Sequence, residues 1–344
     1  MSLRVLAIPF LKAPNSPLRR PTDACLLKRS RLRSSRTRMS ADSVKVIDSH
    51  LHVWASPEEA AKDYPYFPGH EPTLPGKVEF LLECMGDAGV DGAIIVQPIN
   101  HMFDHSLVTS VLKRYPSKFI GCCLANPAED GTGIKQFEEL VLQDGYRAVR
   151  FNHNLWPSGQ KMTNDIGKAL FSKAGNLGVP VCFLCIKGLN FHISEIEELC
   201  SEFPSTIVLL DHLGFARPSL LSNRNNEDNE NFSALLKLSR FPQVYVKFSA
   251  LFRLSRKAFP YEDLSHLLSQ LISSYGANRI LWGSDFPYVV PECGYKGAKD
   301  AVTHVASLVR LSPSDLEWIM GKTAIELFKA SWDILDVDAA SRFS

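Results

Sequence analysis

Eight short apolar runs recur between residues 44 and 287, each followed by an amphipathic stretch, and this alternation narrows the fold more than any other feature of the chain. The runs are Val44–His52, Gly92–Pro98, Phe119–Asn126, Tyr146–Asn152, Pro180–Cys185, Thr206–Gly214, Val244–Ala250 and Ile280–Pro287. They are rich in Val, Ile, Leu or Phe, the pattern of strands buried on both faces. Between them the apolar spacing predicts helices over Lys77–Ala88, Ser106–Tyr115, Gly133–Asp144, Asp165–Leu177, Ile193–Glu202, Phe232–Arg240, Tyr261–Tyr275 and Ala298–Leu308. A further helix is expected over Pro313–Lys329. Eight β/α alternations predict a closed parallel α/β barrel, the (β/α)8 or TIM-barrel architecture, as a single domain over 42–344. An open doubly wound sheet is the alternative, but no G-x-G-x-x-G follows any run, which weakens a dinucleotide-binding reading.

The formal net charge of +1 hides an asymmetry. Residues 1–41 carry ten basic residues and one acid, Asp23, which leaves 28 basic and 36 acidic residues, a net of −8, in the remainder. The body therefore gives no argument for nucleic-acid binding. The leader, rich in Arg, Ser and Pro, reads as a disordered transit peptide. A chloroplast destination is expected, with a mitochondrial or cytoplasmic one as alternatives. No run of 18 apolar residues occurs, so no membrane span is expected. The body fits a monomer or a homodimer.

The eight cysteines form no disulfide framework or zinc ribbon. Cys182 and Cys185 make a C-x-x-C within a predicted strand, where residues three apart face opposite sides. All eight are read as reduced thiols. Two connections stand out: Ala55–Pro75, aromatic and proline-rich, expected to cover a substrate, and the polar run Ser222–Asn231, expected to be a mobile loop.

In such a barrel, polar residues at the C-terminal strand ends converge on one mouth. The first run ends IDSHLH, so His50 and His52 share a side and suit metal binding or proton handling. The sixth ends IVLLDHLG, where a buried His212 needs a partner or a function. The eighth ends ILWGSDFP, placing Asp285 as a proton acceptor, a metal ligand or a helix cap. Arg150, in YRAVRFN, suits a substrate carboxylate through its bidentate fork. Lys247, in VYVKFSA, sits inside a strand and is expected to touch substrate or an inner carboxylate. Gln97 and Asn152 end the second and fourth runs and can offer neutral hydrogen bonds; Tyr288 follows Asp285 and joins the expected substrate-binding set.

The set IDSHLHVW, YRAVRFN, LLDHLG, VYVKFSA and ILWGSDFPY, in that order, resembles the amidohydrolase-related (amidohydrolase 2) family over about residues 44–330. The branch it is most similar to contains sugar lactonases and 2-pyrone-4,6-dicarboxylate hydrolase. The resemblance implies a hydrolase of a small lactone or cyclic ester, with His50, His52, His212 and Asp285 catalytic and Arg150 at the substrate. Phe286 stands where the family usually has a tryptophan, so substrate identity stays open. Zinc-dependent decarboxylases of the broader family place a metal-binding histidine on strand 5; PVCFLCIKG has none. The expectation is a hydrolase acting without metal or with one zinc held by His50, His52 and Asp285. The expected mechanism has Asp285 take the proton of an attacking water while the three histidines stabilise the oxyanion. The alternatives are a zinc-dependent decarboxylase on the same barrel and an inactive barrel that only binds.

Overall fold

The structure, a computed structural model, describes residues 45–218, 226–330 and 332. The leader over 1–41 and the segment 222–225 of the polar run lie outside the described residues. Eight strands form one parallel sheet in sequence order: β1 Ile47–Leu51, β2 Gly92–Val96, β3 Phe119–Leu124, β4 Tyr146–Asn152, β5 Val181–Leu184, β6 Val208–Leu210, β7 Val244–Ser249 and β8 Ile280–Gly283. The ends meet: Asp285 N donates to His50 O (2.8 Å) and His52 N donates to Phe286 O (2.8 Å), which closes the ring. The expected (β/α)8 barrel is the observed one.

The barrel encloses a small apolar interior of Ile47, Ile94, Val96, Ile120, Cys122, Ala148, Cys182, Leu209 and Leu281, joined by Ala324, Phe328 and Trp332 of the C-terminal segment. The larger core lies outside the strands, under the helices. Gly92 is required here, because a Cβ would come within 2.5 Å of the Trp332 ring. Cys182 belongs to the interior and Cys185 to the outer core, as their spacing predicted. The seven described cysteines are all free.

Two expectations change. The strand expected over Thr206–Gly214 ends at Leu210, and a left-handed turn takes its place. The polar run is not wholly a loop: a helix spans Asn226–Lys237. Its residues find partners, since Asn231 Oδ1 accepts from Asn190 N (2.8 Å) and Asp228 pairs with Arg256. Among the described residues no helix is long and apolar enough to cross a membrane.

The Ala55–Pro75 connection contains a short helix, Pro57–Lys62, capped reciprocally by Ser56 and Glu59. Its remainder is pinned to the loop after β2. Phe67 N donates to Asn100 O (2.7 Å), and His101 Nδ1 donates to Pro65 O (3.1 Å).

Candidate active site

A bulge in β1 aims the H-x-H pair. On a regular strand Ile47 and Leu51 would share a face, but Ile47 points into the barrel and Leu51 into the outer core, and the β1–β2 register shifts between Asp48 and Leu51. Asp48 holds this bulge. Its Oδ1 accepts from His50 N (3.0 Å) and Ser284 N (2.9 Å), and its Oδ2 from Tyr295 OH (2.9 Å). Burial pushes the Asp48 carboxyl up to about 6, against the pull of these bonds.

His212 and Asp285 both sit on left-handed backbone just beyond a strand end, at φ 52° and 64°. Leu213, Gly214 and Phe215 continue the left-handed turn. Such a conformation costs about 1–2 kcal/mol for each non-glycine residue, and it persists where the surroundings over-determine it. Here the result is two side chains turned into the mouth, with His212 Nδ1 held 2.9 Å from Ser249 Oγ.

Three imidazoles converge on one carboxylate oxygen. The Nε2 atoms of His52, His50 and His212 lie 3.5, 3.9 and 4.0 Å from Asp285 Oδ1, and all four residues are buried. His52 Nδ1 donates to Val96 O (2.8 Å), which leaves a lone pair on its Nε2. Burial holds His50 well below its usual range and lowers His212 to about 4, so both are neutral near pH 7. Asp285 is ionised: burial alone would raise its carboxyl, but the neighbouring Arg253 guanidinium holds it far below the usual range. Arg253 Nε lies 2.7 Å from Asp285 Oδ2, and its guanidinium stacks 4.6 Å from the Tyr288 ring centroid.

Behind His50 lies a buried charge cluster centred on Asp211. Lys247 Nζ is 3.0 Å from its Oδ1, Arg150 Nε is 2.9 Å from its Oδ2, and His50 Nδ1 is 3.3 Å from its Oδ1. Burial would raise Asp211, but Lys247 and Arg150 hold it well below a normal carboxylate. Lys247 is thus engaged by an inner carboxylate. Arg150 uses only Nε here; its terminal nitrogens make no hydrogen bond or ion pair with a described residue.

The other expected substrate contacts divide. Gln97 Nε2 donates to Met102 O (3.1 Å) and Asp104 O (2.7 Å), which ties its amide to the loop after β2. Asn152 Oδ1 accepts from Asn154 N (3.2 Å) and caps the turn after β4. Tyr288 walls the mouth, 6.1 Å from His52 and 5.6 Å from Trp54 between ring centroids. Sequence reasoning assigned no role to Asp211 or Arg253. The first was signalled by a carboxylate interrupting an apolar strand; the second lies in the short helix Leu251–Leu254 after β7 and had no signal.

Among the described residues, His50, His212 and Asp285 offer ligand atoms within 4.8 Å of one another. By spacing this set, rather than His50, His52 and Asp285, could hold one metal ion. Around it Lys247, Arg150 and Arg253 are matched in number by the buried carboxylates Asp48, Asp211 and Asp285. His50 Nδ1 lies 3.3 Å from both Lys247 Nζ and Asp211 Oδ1; a metal-bound histidine usually donates to a carboxylate or carbonyl, so a resident ion would need the Asp211 contact and not the Lys247 one.

Comparison with known proteins gives a consistent picture. The family model "Amidohydrolase" matches residues 47–330. The 4-sulfomuconolactone hydrolase of Hydrogenophaga intermedia is 26% identical over 248 residues, 70% of this chain and 74% of that protein. A structure from Pseudomonas putida, described as a 2-pyrone-4,6-dicarboxylic acid hydrolase, superposes with a TM-score of 0.67 at 22% identity, covering 85% of this chain and 99% of the other. The 2,6-dihydroxybenzoate decarboxylase from Rhizobium superposes with a TM-score of 0.60 at 15% identity, covering 83% and 99%. These two structural likenesses speak for the fold.

Proposed function

The chain belongs to the amidohydrolase family, and we propose that it hydrolyses a small lactone carrying an anionic group, by a route that needs no metal. The observation that carries this reading is the convergence of three imidazole Nε2 atoms on Asp285 Oδ1, beside an arginine whose terminal nitrogens have no partner among the described residues. The lactone-hydrolase relative supports the choice of substrate class.

Asp285 Oδ1 accepts a proton from the attacking water, and the lone pair on His52 Nε2 orients that water. The new oxyanion is met by hydrogen-bond donors at the mouth; one good donor lowers such a barrier by about 3–4 kcal/mol. The terminal nitrogens of Arg150 hold the substrate's anionic group in bidentate fashion. Because Arg253 depresses the basicity of Asp285, the carboxyl gives its proton back readily to the leaving alkoxide or enolate.

A decarboxylase is less well supported. The inward position of β5 is Cys182, not a histidine, and Lys247 Nζ sits on His50 Nδ1. Incubating the protein with a panel of lactones bearing carboxylate or sulfonate groups tests the proposal. Ring opening with release of one acid equivalent, and without CO2, is expected. A wholly inactive panel, or CO2 release from an aromatic acid, would contradict it. The basic leader supports a second proposal, import into the chloroplast; a leader–fluorescent-protein fusion that stays in the cytoplasm would contradict that.

A further inference from the structure

We propose that Lys247 is a positioning residue: it fixes the proton of neutral His50 on Nε2, so that this imidazole faces the mouth as a hydrogen-bond donor. The proposal rests on the hydrolase reading only for the use made of that donor.

Lys247 is fully buried on β7, at a level where the other strands present mostly apolar side chains to the interior. Its Nζ makes a hydrogen bond of 3.3 Å with His50 Nδ1 and lies 3.6 Å from Cys182 Sγ and 3.0 Å from Asp211 Oδ1. An ammonium group has three donors and no acceptor. The nitrogen that receives it must offer a lone pair, so the single proton of the neutral ring sits on the other nitrogen.

The competing arrangement has His50 Nδ1 donate to Asp211 Oδ1, also 3.3 Å away. Two observations oppose it. Asp211 Oδ1 has no aligned hydrogen-bond donor among the described residues, and an N–H at Nδ1 would point its positive end at the ammonium. Asp211 already has its charge met by Lys247 and Arg150. Its part is to keep Lys247 protonated and in place.

The outcome on the other side of the ring is specific. His50 Nε2 is buried, has no hydrogen-bond partner among the described residues, and faces the space shared with Asp285 Oδ1. An unpaired buried donor costs about 1–3 kcal/mol, a cost that is offset when negative charge develops beside it. His52 has the opposite tautomer, through its bond to Val96 O. The two histidines of one motif thus present an acceptor for water and a donor for the oxyanion. The same proton keeps His50 from acting as a metal ligand.

The full-length protein labelled with 15N-histidine tests this by long-range 1H–15N correlation, with the His50 signals identified by their loss in His50→Gln. The pattern expected near pH 7 is a protonated Nε2 and a bare Nδ1 for His50, and the reverse for His52. A proton on Nδ1 of His50, or rapid averaging of both tautomers, would overturn the proposal. Lys247→Met gives a second readout. The His50 proton is expected to move to Nδ1, facing Asp211, and zinc affinity measured by chelator competition to rise about tenfold or more. An unchanged His50 pattern in the folded variant would also overturn it. If Lys247→Met does not fold, the wild-type spectrum decides alone. Neither readout depends on turnover, so failure of the lactone assay and failure of this proposal are distinct results.

Discussion

Arg253 Nε lies 2.7 Å from Asp285 Oδ2, so the carboxylate assigned as base is held by a guanidinium that reaches it from the edge of the mouth, one-third exposed. The pair sets a tension: the cation keeps the base ionised and, by the same contact, makes it weak.

Removing that cation should move the base. In Arg253→Gln the Asp285 carboxyl rises toward the normal range, so the acid limb of kcat/KM moves to higher pH. A tenfold gain in the proton affinity of the carboxylate corresponds to about 1.4 kcal/mol. The check is a pH–rate profile of both proteins on one lactone; an acid limb that stays in place would remove Arg253 from this role.

Asp211 should matter more to stability than any exposed charge. In Asp211→Asn the buried Lys247 and Arg150 lose their shared counter-charge, and breaking a buried pair in this way costs about 3–5 kcal/mol. Urea denaturation compares this variant with Glu198→Gln, which removes one side of a solvent-exposed pair with Lys168 and should cost under about 1 kcal/mol.

Acid should loosen the fold before it protonates ordinary carboxylates. Burial lowers His105 to about 4: its Nε2 accepts from Leu124 N (3.1 Å) and its Nδ1 donates to Phe103 O (2.9 Å), so a charged ring would lose the first bond. His212 is lowered to a similar value, and His50 well below its usual range. Between about pH 6.5 and 4 the unfolded chain binds protons at these three positions and the native state does not, so stability falls as pH drops through that window. Asp48, raised to about 6 by burial, slopes the opposite way below pH 6 but offsets only one of the three. Melting temperatures from pH 7 to 4 should therefore fall, and His105→Gln should flatten the curve. A wild-type melting temperature that is level to pH 4 would contradict this.

The barrel was legible because eight short runs rich in Val, Ile, Leu or Phe alternate with amphipathic stretches, and a period of that kind survives any detail of packing. The mouth residues His50, His52, His212 and Asp285 were legible because each is a polar group at the end of such a run. What the sequence hides is conformation and pairing. It does not reveal that β6 stops at Leu210 so that His212 can turn left-handed, nor that β1 bulges at the H-x-H motif. Lys247 could be read only as a buried cation in need of a partner, because that partner, Asp211, is 36 positions away on the neighbouring strand's end. Arg253 escapes altogether, since it sits on a four-residue helix with no pattern of its own. Gln97 and Asn152 are divided: one end of each amide serves its own loop, while Gln97 Oε1 has no hydrogen-bond partner among the described residues.

The most direct test of the hydrolase account is the turnover of Asp285→Asn on a lactone that the wild-type protein opens, with circular dichroism confirming that the barrel is intact. Loss of the proton acceptor should lower kcat by about 10²–10⁴-fold while substrate still binds through Arg150. A folded Asp285→Asn protein that opens the lactone at the wild-type rate would show that the carboxylate at the centre of the three imidazoles is not the base.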